Sequence, residues 1–323
     1  MWNTEAGHLP VLLGPVVEAV AAVAGAVVVD ATFGGGGYSR SLLAAGARVI
    51  GIDCDPEAVA RGEALAAAEP RFRILHGRFG AMVDLLAGIG VERVDAIVMD
   101  VGVSSFQLDQ AERGFSFRHA GPLDMRMSRE GPTAADMLAT ASEGEIAGVL
   151  RAFGDEPDAK RIARAIVRRR ETAPLRRTEE LAELVAAAKG GRRGPTDPAT
   201  RTFQALRIWV NDELGELDRA LEAAEALLVD GGRLVVVAFH SGEDERVKRF
   251  VDERGGRPAS GSRHAPPVAQ AAPRWSWVSR KAVMPGPAET ASNPRARSAR
   301  MRVAVRRREA DADDPADGWR LAA

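Results

Sequence analysis

The stretch Ala26-Val-Val-Val-Asp30-Ala-Thr-Phe-Gly34-Gly-Gly-Gly37-Tyr38-Ser39 decides the fold. A short β-branched run ends at an acid, four glycines follow, and residues 38–45 then read as a helix. Glycines at a strand-to-helix turn let the backbone bend sharply and approach a bound ligand with no Cβ in the way. Residues 48–53 (RVIGID) form the next apolar run and end at Asp53, where a carboxylate can accept both hydroxyls of a ribose. Outward from there, residues 56–68 open with Pro at a helix N-terminus, and 72–76 (FRILH) and 94–100 (VDAIVMD) are further strand-like runs. Apolar strands separated by helices predict an α/β fold, a Rossmann-like parallel sheet covered on both faces.

A glycine-rich turn alone does not name its ligand, because dinucleotide dehydrogenases use the same device. No Lys-Ser/Thr pair follows the glycines, which removes the phosphate-loop reading. Asp30, just ahead of the glycines, is placed to hold an ammonium directly or through water. Asp100 adds a third acid at the carboxyl edge of the sheet, where such folds bind ligands. Together these features favour S-adenosylmethionine as cofactor. The plainer roles are turn capping for Asp30 and a solvated strand end for Asp53.

After Asp100 the pattern changes. Residues 104–132 are rich in Gly, Pro, Arg and Met with no sustained period, and 133–189 read as helical, including 158–170 and 178–188 with Thr178 as a capped start. Residues 199–228 read as one long helix or two, and 231–240 (GGRLVVVAFH) as another core strand. Residues 255–273 read as a loop, 275–283 and 301–305 as a hairpin-like pair, and the acidic tail as frayed. Sheet elements on both sides of a helical middle imply an insertion. The expected division is a core over 1–108 and 206–309, a helical, RNA-recognising insertion over 109–205, and a disordered tail over 310–323.

The single cysteine, Cys54, excludes an internal disulfide or a cysteine-based metal cluster, and no metal is expected. The apolar segment 19–29 is interrupted by Gly25 and follows Glu5 and Glu18, so it does not read as a signal peptide. No run approaches the roughly 20 apolar residues of a membrane span, and a cytoplasmic location is expected. A formal net charge of -1 places any nucleic-acid contact in local clusters. Residues 160–177 hold such a cluster: eight basic side chains against one acid, with Lys160, Arg164 and Arg168 on one helical face. A second contains Arg295, Arg297, Arg300 and Arg302. Charge runs are often only solvated faces, but both suit phosphates.

Three longer motifs are more specific: Asp100-Val-Gly-Val-Ser-Ser-Phe-Gln-Leu-Asp, Glu112-Arg-Gly-Phe-Ser-Phe-Arg and Gly121-Pro-Leu-Asp-Met-Arg-Met. With Ala199-Thr-Arg-Thr-Phe-Gln, Phe239-His-Ser and Asn293-Pro-Arg-Ala-Arg-Ser, the chain resembles the bacterial small-subunit rRNA cytosine-N4 methyltransferases (the RsmH or MraW family). The resemblance runs from His8 to about Arg306 and implies a class I methyltransferase core with a helical substrate-recognition insertion. The implied reaction is S-adenosylmethionine-dependent methylation of the exocyclic N4 of a decoding-region cytidine. The implied partner is small-subunit rRNA or the assembled small subunit. The implied cofactor contacts are Gly36, Gly37, Tyr38, Asp53, Phe79, Asp100 and Gln107. Asp100 is also the expected catalytic residue, as acceptor for the base amino group.

Several positions depart from the family's usual residues. Tyr38 stands where many members have His, Phe106 replaces a Pro, Asp197 a His and Gly242 a Leu, while Pro15 and Pro157 stand at positions usually charged. Arg113, Phe115, Phe117, Arg118 and Arg126 offer planes suited to a splayed base, or ordinary packing. His240 would orient a base or phosphate, or serve structure; Ser104 and Ser105 would donate to substrate, or cap a turn. Cys54 as a nucleophile fits poorly with its place on the cofactor strand. The competing readings are a catalytically inactive RNA-binding assembly factor and a small-molecule methyltransferase. The oligomeric state, a homodimer included, stays open.

Overall fold

The computed structural model describes residues 10–191, 197–256 and 273–307, and the expected acidic tail and most of the expected 255–273 loop lie outside them. The chain divides into two compact units, one formed by residues 1–102 and 215–323, the other by 103–214. The expected boundaries at 109 and 205 fall inside the second unit, because the helix Thr200–Asn211 packs on Glu143–Gly154.

The first unit is built on a seven-stranded sheet: β1 (Val27–Asp30), β2 (Arg48–Asp53), β3 (Phe72–His76), β4 (Val94–Asp100), β5 (Leu228–Ala238), β6 (Trp275–Trp277) and β7 (Arg300–Arg306), in the order β3-β2-β1-β4-β5-β7-β6. The first five strands run parallel; β7 lies antiparallel between β5 and β6, the pairing expected for the two C-terminal runs. Side chains alternate faces along a strand. Val29, Ile97, Met99, Leu234 and Val236 therefore enter one core with Met82, Leu86, Leu217, Leu221 and Phe250. Their neighbours Val28, Ala96, Val98, Val235 and Val237 enter a second core with Val16, Leu42, Leu43 and Leu65. Burial on both faces explains why these strands read as continuous apolar runs.

The second unit packs the helices Ala134–Thr140, Glu143–Gly154, Ala159–Thr172, Thr178–Ala188 and Thr200–Asn211 around Leu138, Ile146, Leu150, Ile162, Ile166, Leu181 and Leu206. Thr133 and Ser142 close capping boxes with Asp136 and Glu145. Thr178 is not the cap it was expected to be. Arg177 holds that position, the Glu180 carboxylate accepts from its backbone N–H, and Thr178 is buried with its hydroxyl donated to the His119 carbonyl. The long helical pattern after residue 199 divides at Asp212, whose left-handed φ of 51° ends the first helix before Glu213–Leu227 begins.

The aperiodic stretch 104–132 is packed rather than loose. Met125 sits at φ 65°, a costly conformation for a residue with a Cβ, and is held there. The Asn211 amide donates to the Met125 carbonyl at 2.7 Å and accepts from the Met127 N–H at 2.8 Å. Replacing Asn211 by Ala removes both bonds in a buried place and is expected to cost about 2–4 kcal/mol in urea denaturation. A loss below about 0.5 kcal/mol would show that the loop is held by other groups.

Candidate active site

The register of the sheet brings the acids together. Asp30 is paired with Val98 across β1 and β4, so Asp30, Val98 and Asp100 project from one face. Asp53 shares that face, two pleats on from Val49, and the helix Gly37–Ala44 covers it. The glycine turn is fixed at several points. Phe33 N–H donates to the Ile52 carbonyl at 3.0 Å, and Gly34 N–H donates to Asp53 Oδ2 at 2.8 Å. Gly36 caps the helix at φ 76°, and a Cβ there would lie 2.7 Å from the Phe33 ring. At Gly37 a Cβ would lie 2.0 Å from Pro10, so the N-terminal segment passes directly over the turn.

Asp53 accepts from Gly34 N–H through one oxygen and from Asp55 N–H through the other. A carboxylate offers about four lone-pair directions, so acceptor capacity for ribose hydroxyls remains. Phe79 opens the short turn Phe79–Ala81 after β3 and packs partly buried against the first core. Glu216 Oε2 accepts from Gly80 N–H at 3.0 Å and so fixes that turn. Tyr38 is buried, its hydroxyl placed against the Val11 carbonyl and the Asp100 carboxyl. Burial, then the negative charges of Asp100 and Asp30, push its phenol well above the ordinary range.

Asp30 Oδ2 accepts from the Ser39 hydroxyl at 2.6 Å, while Asp30 Oδ1 is buried with no hydrogen-bond partner. Asp100 is half-buried overall, yet its Oδ1 is equally enclosed and unpartnered. Burial pushes Asp100 up to about 8, reinforced by Asp30 and Glu243 and opposed by the Tyr38 hydroxyl. Burial likewise raises Asp30 to about 6. Cys54 is pushed up to about 12, by burial first and then by Asp53, which leaves no thiolate for nucleophilic attack.

Gln107 belongs to the 103–214 unit. Its amide oxygen accepts from Ser104 N–H at 3.0 Å and its own N–H donates to the Ser104 hydroxyl, closing a capping box. His240 is a helix cap: Nδ1 accepts from Gly242 N–H at 3.1 Å at the start of Ser241–Arg254. The planes expected to hold a splayed base are largely committed to packing. Arg113 is buried and donates to the Arg126 and Met127 carbonyls, and Arg126 makes a paired bond with Asp124. Phe115 is buried and Phe117 packs edge-on against Phe203; Arg118 alone of the five is exposed. Arg302 is bound to Asp244, which removes it from the second basic cluster. Two of the departures from the family pattern fit locally: Pro15 lies in a first helical turn, and Asp197 Oδ1 accepts from Ala199 N–H at 2.8 Å.

Sequence reading did not single out Ser39, Pro10, Glu216 or Glu243. The last three act across long sequence separations or through an unusual cap, and only the spacing His240-x-x-Glu243 carried a local signal.

A family model described as the MraW methylase family matches residues 5–307. The chain belongs to that family. Among curated relatives, one from Caulobacter vibrioides is 54% identical over 305 residues, covering 94% of this chain and 96% of its own, and is called Ribosomal RNA small subunit methyltransferase H. A relative of the same name from Sphingopyxis alaskensis is 56% identical over 303 residues, covering 93% and 92%. Among solved structures, an rRNA methylase from Streptococcus thermophilus is similar at a TM-score of 0.40 and 9% identity, covering 92% of this chain and 94% of that one.

The methylase's S-adenosylmethionine dependence, expected from its sequence, agrees with this membership, and the site fits the group. The sulfonium and ammonium are cations, and Asp30 Oδ1 and Asp100 Oδ1 are enclosed acceptors with no partner among the described residues. No helix of the described residues is long and apolar enough to cross a membrane.

The raised carboxyl of Asp100 has a consequence for the free protein. Between the ordinary carboxylate value near 3.9 and about 8, the folded chain holds a proton that the unfolded chain lacks, so stability falls as pH rises through that window. Asp100→Asn cannot ionise. It is expected to melt above the wild type at about pH 8, with the difference shrinking as pH falls towards about 4. A difference independent of pH would show that Asp100 is already ionised in the free chain.

Proposed function

We propose that the methylase transfers a methyl group from S-adenosylmethionine to the exocyclic N4 of a cytidine in the decoding region of small-subunit rRNA. The observation that carries this reading is the pair of enclosed, unpartnered carboxylate oxygens of Asp30 and Asp100 beside a glycine turn, in a chain of the MraW family. The names of its relatives support the rRNA substrate.

When bound, the cofactor supplies a methyl group on a good leaving group, a sulfonium that becomes a neutral thioether. Cytosine N4 is a weak nucleophile because its lone pair is delocalised into the ring. The protein's task is therefore to orient that nitrogen, and positioning of this kind is worth up to about 7–11 kcal/mol. Gly36 and Gly37 would give the cofactor backbone access, Asp53 would accept from its ribose, and Phe79 would pack on its adenine. Tyr38 completes the proposed set within the first unit. Asp100 would accept an N4 hydrogen bond and take the proton that N4 releases.

The 103–214 unit is read as the RNA-recognising part. Lys160, Arg161, Arg164, Arg168, Arg176 and Arg177 are exposed, with Arg161, Arg164 and Arg177 meeting Asp158, Glu143 and Glu179, whereas Arg169 and Arg170 are spent on the carbonyls of Ala173, Leu138 and Ala141. An exposed basic face on one helix suits a phosphate backbone and argues against a small-molecule substrate.

The test is transfer of labelled methyl groups to small subunits and to naked rRNA from cells lacking this gene, followed by nucleoside mass spectrometry. N4-methylcytidine at one site, lost with Asp100→Ala, is the expected result. Transfer to no RNA while the cofactor still binds would favour a binding factor without catalysis. Alanine at Lys160, Arg164 and Arg168 together should weaken RNA binding and flatten its logarithmic salt slope by about 2–3.

A further inference from the structure

The first turn of the helix Ser241–Arg254 brings one more acid to the edge that holds Asp100. β5 pairs with β4 so that Asp100 lies opposite Val237, and Val101 N–H donates to the Val237 carbonyl at 2.9 Å. The chain then passes through Phe239 and His240 into the helix. Glu243 folds back over that junction, where Oε2 accepts from Phe239 N–H at 2.8 Å and from His240 N–H at 3.2 Å. The side chain is fully buried, and Oε1 has no hydrogen-bond partner.

Among the described residues no lysine or arginine pairs with Glu243, and its nearest ionisable neighbour is His240. His240 Nδ1 accepts a hydrogen bond, which leaves the ring proton on Nε2. That nitrogen lies 2.9 Å from Glu243 Oε1 but out of line for a hydrogen bond. Arg300 and Arg302, on the neighbouring strand β7, are both paired with Asp244. The groups that act on Asp100 are Asp30, Tyr38 and Glu243, and none is basic. Three carboxyl groups, at the ends of β1 and β4 and in the turn after β5, thus lie at neighbouring strand ends, each with an enclosed oxygen that accepts no hydrogen bond.

We propose that Glu243 is a specificity-determining residue: its buried carboxylate joins Asp30 and Asp100 to make the site prefer the sulfonium cofactor over its neutral thioether product. Its effect is electrostatic. Two ligands that differ by one methyl group and one positive charge bind a site of excess negative charge with different affinity, and an enclosed site screens little of that difference. The same excess charge readies Asp100 to hold a proton once the positive charge is gone. In the transfer proposed above, N4 gains the methyl carbon, the electron pair of the broken S–C bond stays on sulfur, and the N4 proton passes to Asp100. The charge of the site is then conserved: cation plus carboxylate before, neutral thioether plus carboxylic acid after. The inference rests on placing the cofactor at this sheet edge.

The conservative variant Glu243→Gln keeps an amide oxygen to accept from Phe239 and His240 and removes only the charge. Calorimetric affinities of the full chain for S-adenosylmethionine and S-adenosylhomocysteine provide the test, with Asp53→Ala as reference. Glu243→Gln should lower the ratio of the two affinities by about tenfold, with the homocysteine form bound within about twofold of wild type. Asp53→Ala should weaken both ligands alike, because both carry the ribose. If Glu243→Gln shifts both affinities equally, or neither, while Asp53→Ala weakens both, Glu243 only caps its helix and the inference is overturned. If Asp53→Ala leaves both unchanged, the cofactor lies elsewhere, and both the site and the inference fall.

Discussion

The first unit is organised around an electrostatic cost: carboxyl groups buried side by side on one face of a parallel sheet, with no cation among them in the described residues. Asp30 and Asp100 stand there because β1 and β4 are neighbours in a register that puts both on the face covered by Gly37–Ala44. The glycine turn, Ser39, the Tyr38 hydroxyl and the capped turn at Glu243 enclose them. A chain selected for stability alone would place apolar or paired groups there. Buried acids whose charge is left uncompensated suit a cationic ligand, which would supply the missing charge and favour their ionised forms. The cost in the free protein and the proposed preference for a charged cofactor would have the same origin.

Much of this was legible in the sequence because strands buried on both faces leave a strong local record. Residues 48–53, 72–76 and 94–100 coincide with β2, β3 and β4, and the acids that close β1, β2 and β4 are those of the proposed site. What stayed hidden depends on contacts between distant positions. Glu216 fixes the Phe79 turn from more than a hundred residues away, and Pro10 lies over Gly37. Glu243 was masked by its cap, since His is not among the residues that ordinarily begin a helix.

The stretch 104–132 was ambiguous for a related reason. Its arginines and phenylalanines suited either a surface for a base or ordinary packing, because such residues without a period mark no buried face. The structure turns Arg113 inward to bind the Arg126 and Met127 carbonyls, and Asn211 holds Met125 in a left-handed conformation. An irregular backbone leaves many carbonyls and amides without helix or sheet partners, and buried side chains must then supply them. The basic helix Ala159–Thr172 keeps exposed basic side chains, which leaves electrostatics rather than aromatic planes as the support for the proposed RNA-recognising role of this unit.

The most direct test of the account is the ionisation of Asp100 itself, followed by carbon NMR of aspartate labelled at the side-chain carboxyl and assigned with Asp100→Asn. The account predicts a midpoint at about 8 in the free methylase, and an ionised carboxylate at neutral pH once S-adenosylmethionine is bound. A midpoint near 4 in the free protein would contradict it: Asp100 would already be ionised without a ligand, and the buried acids would not be waiting for a cation.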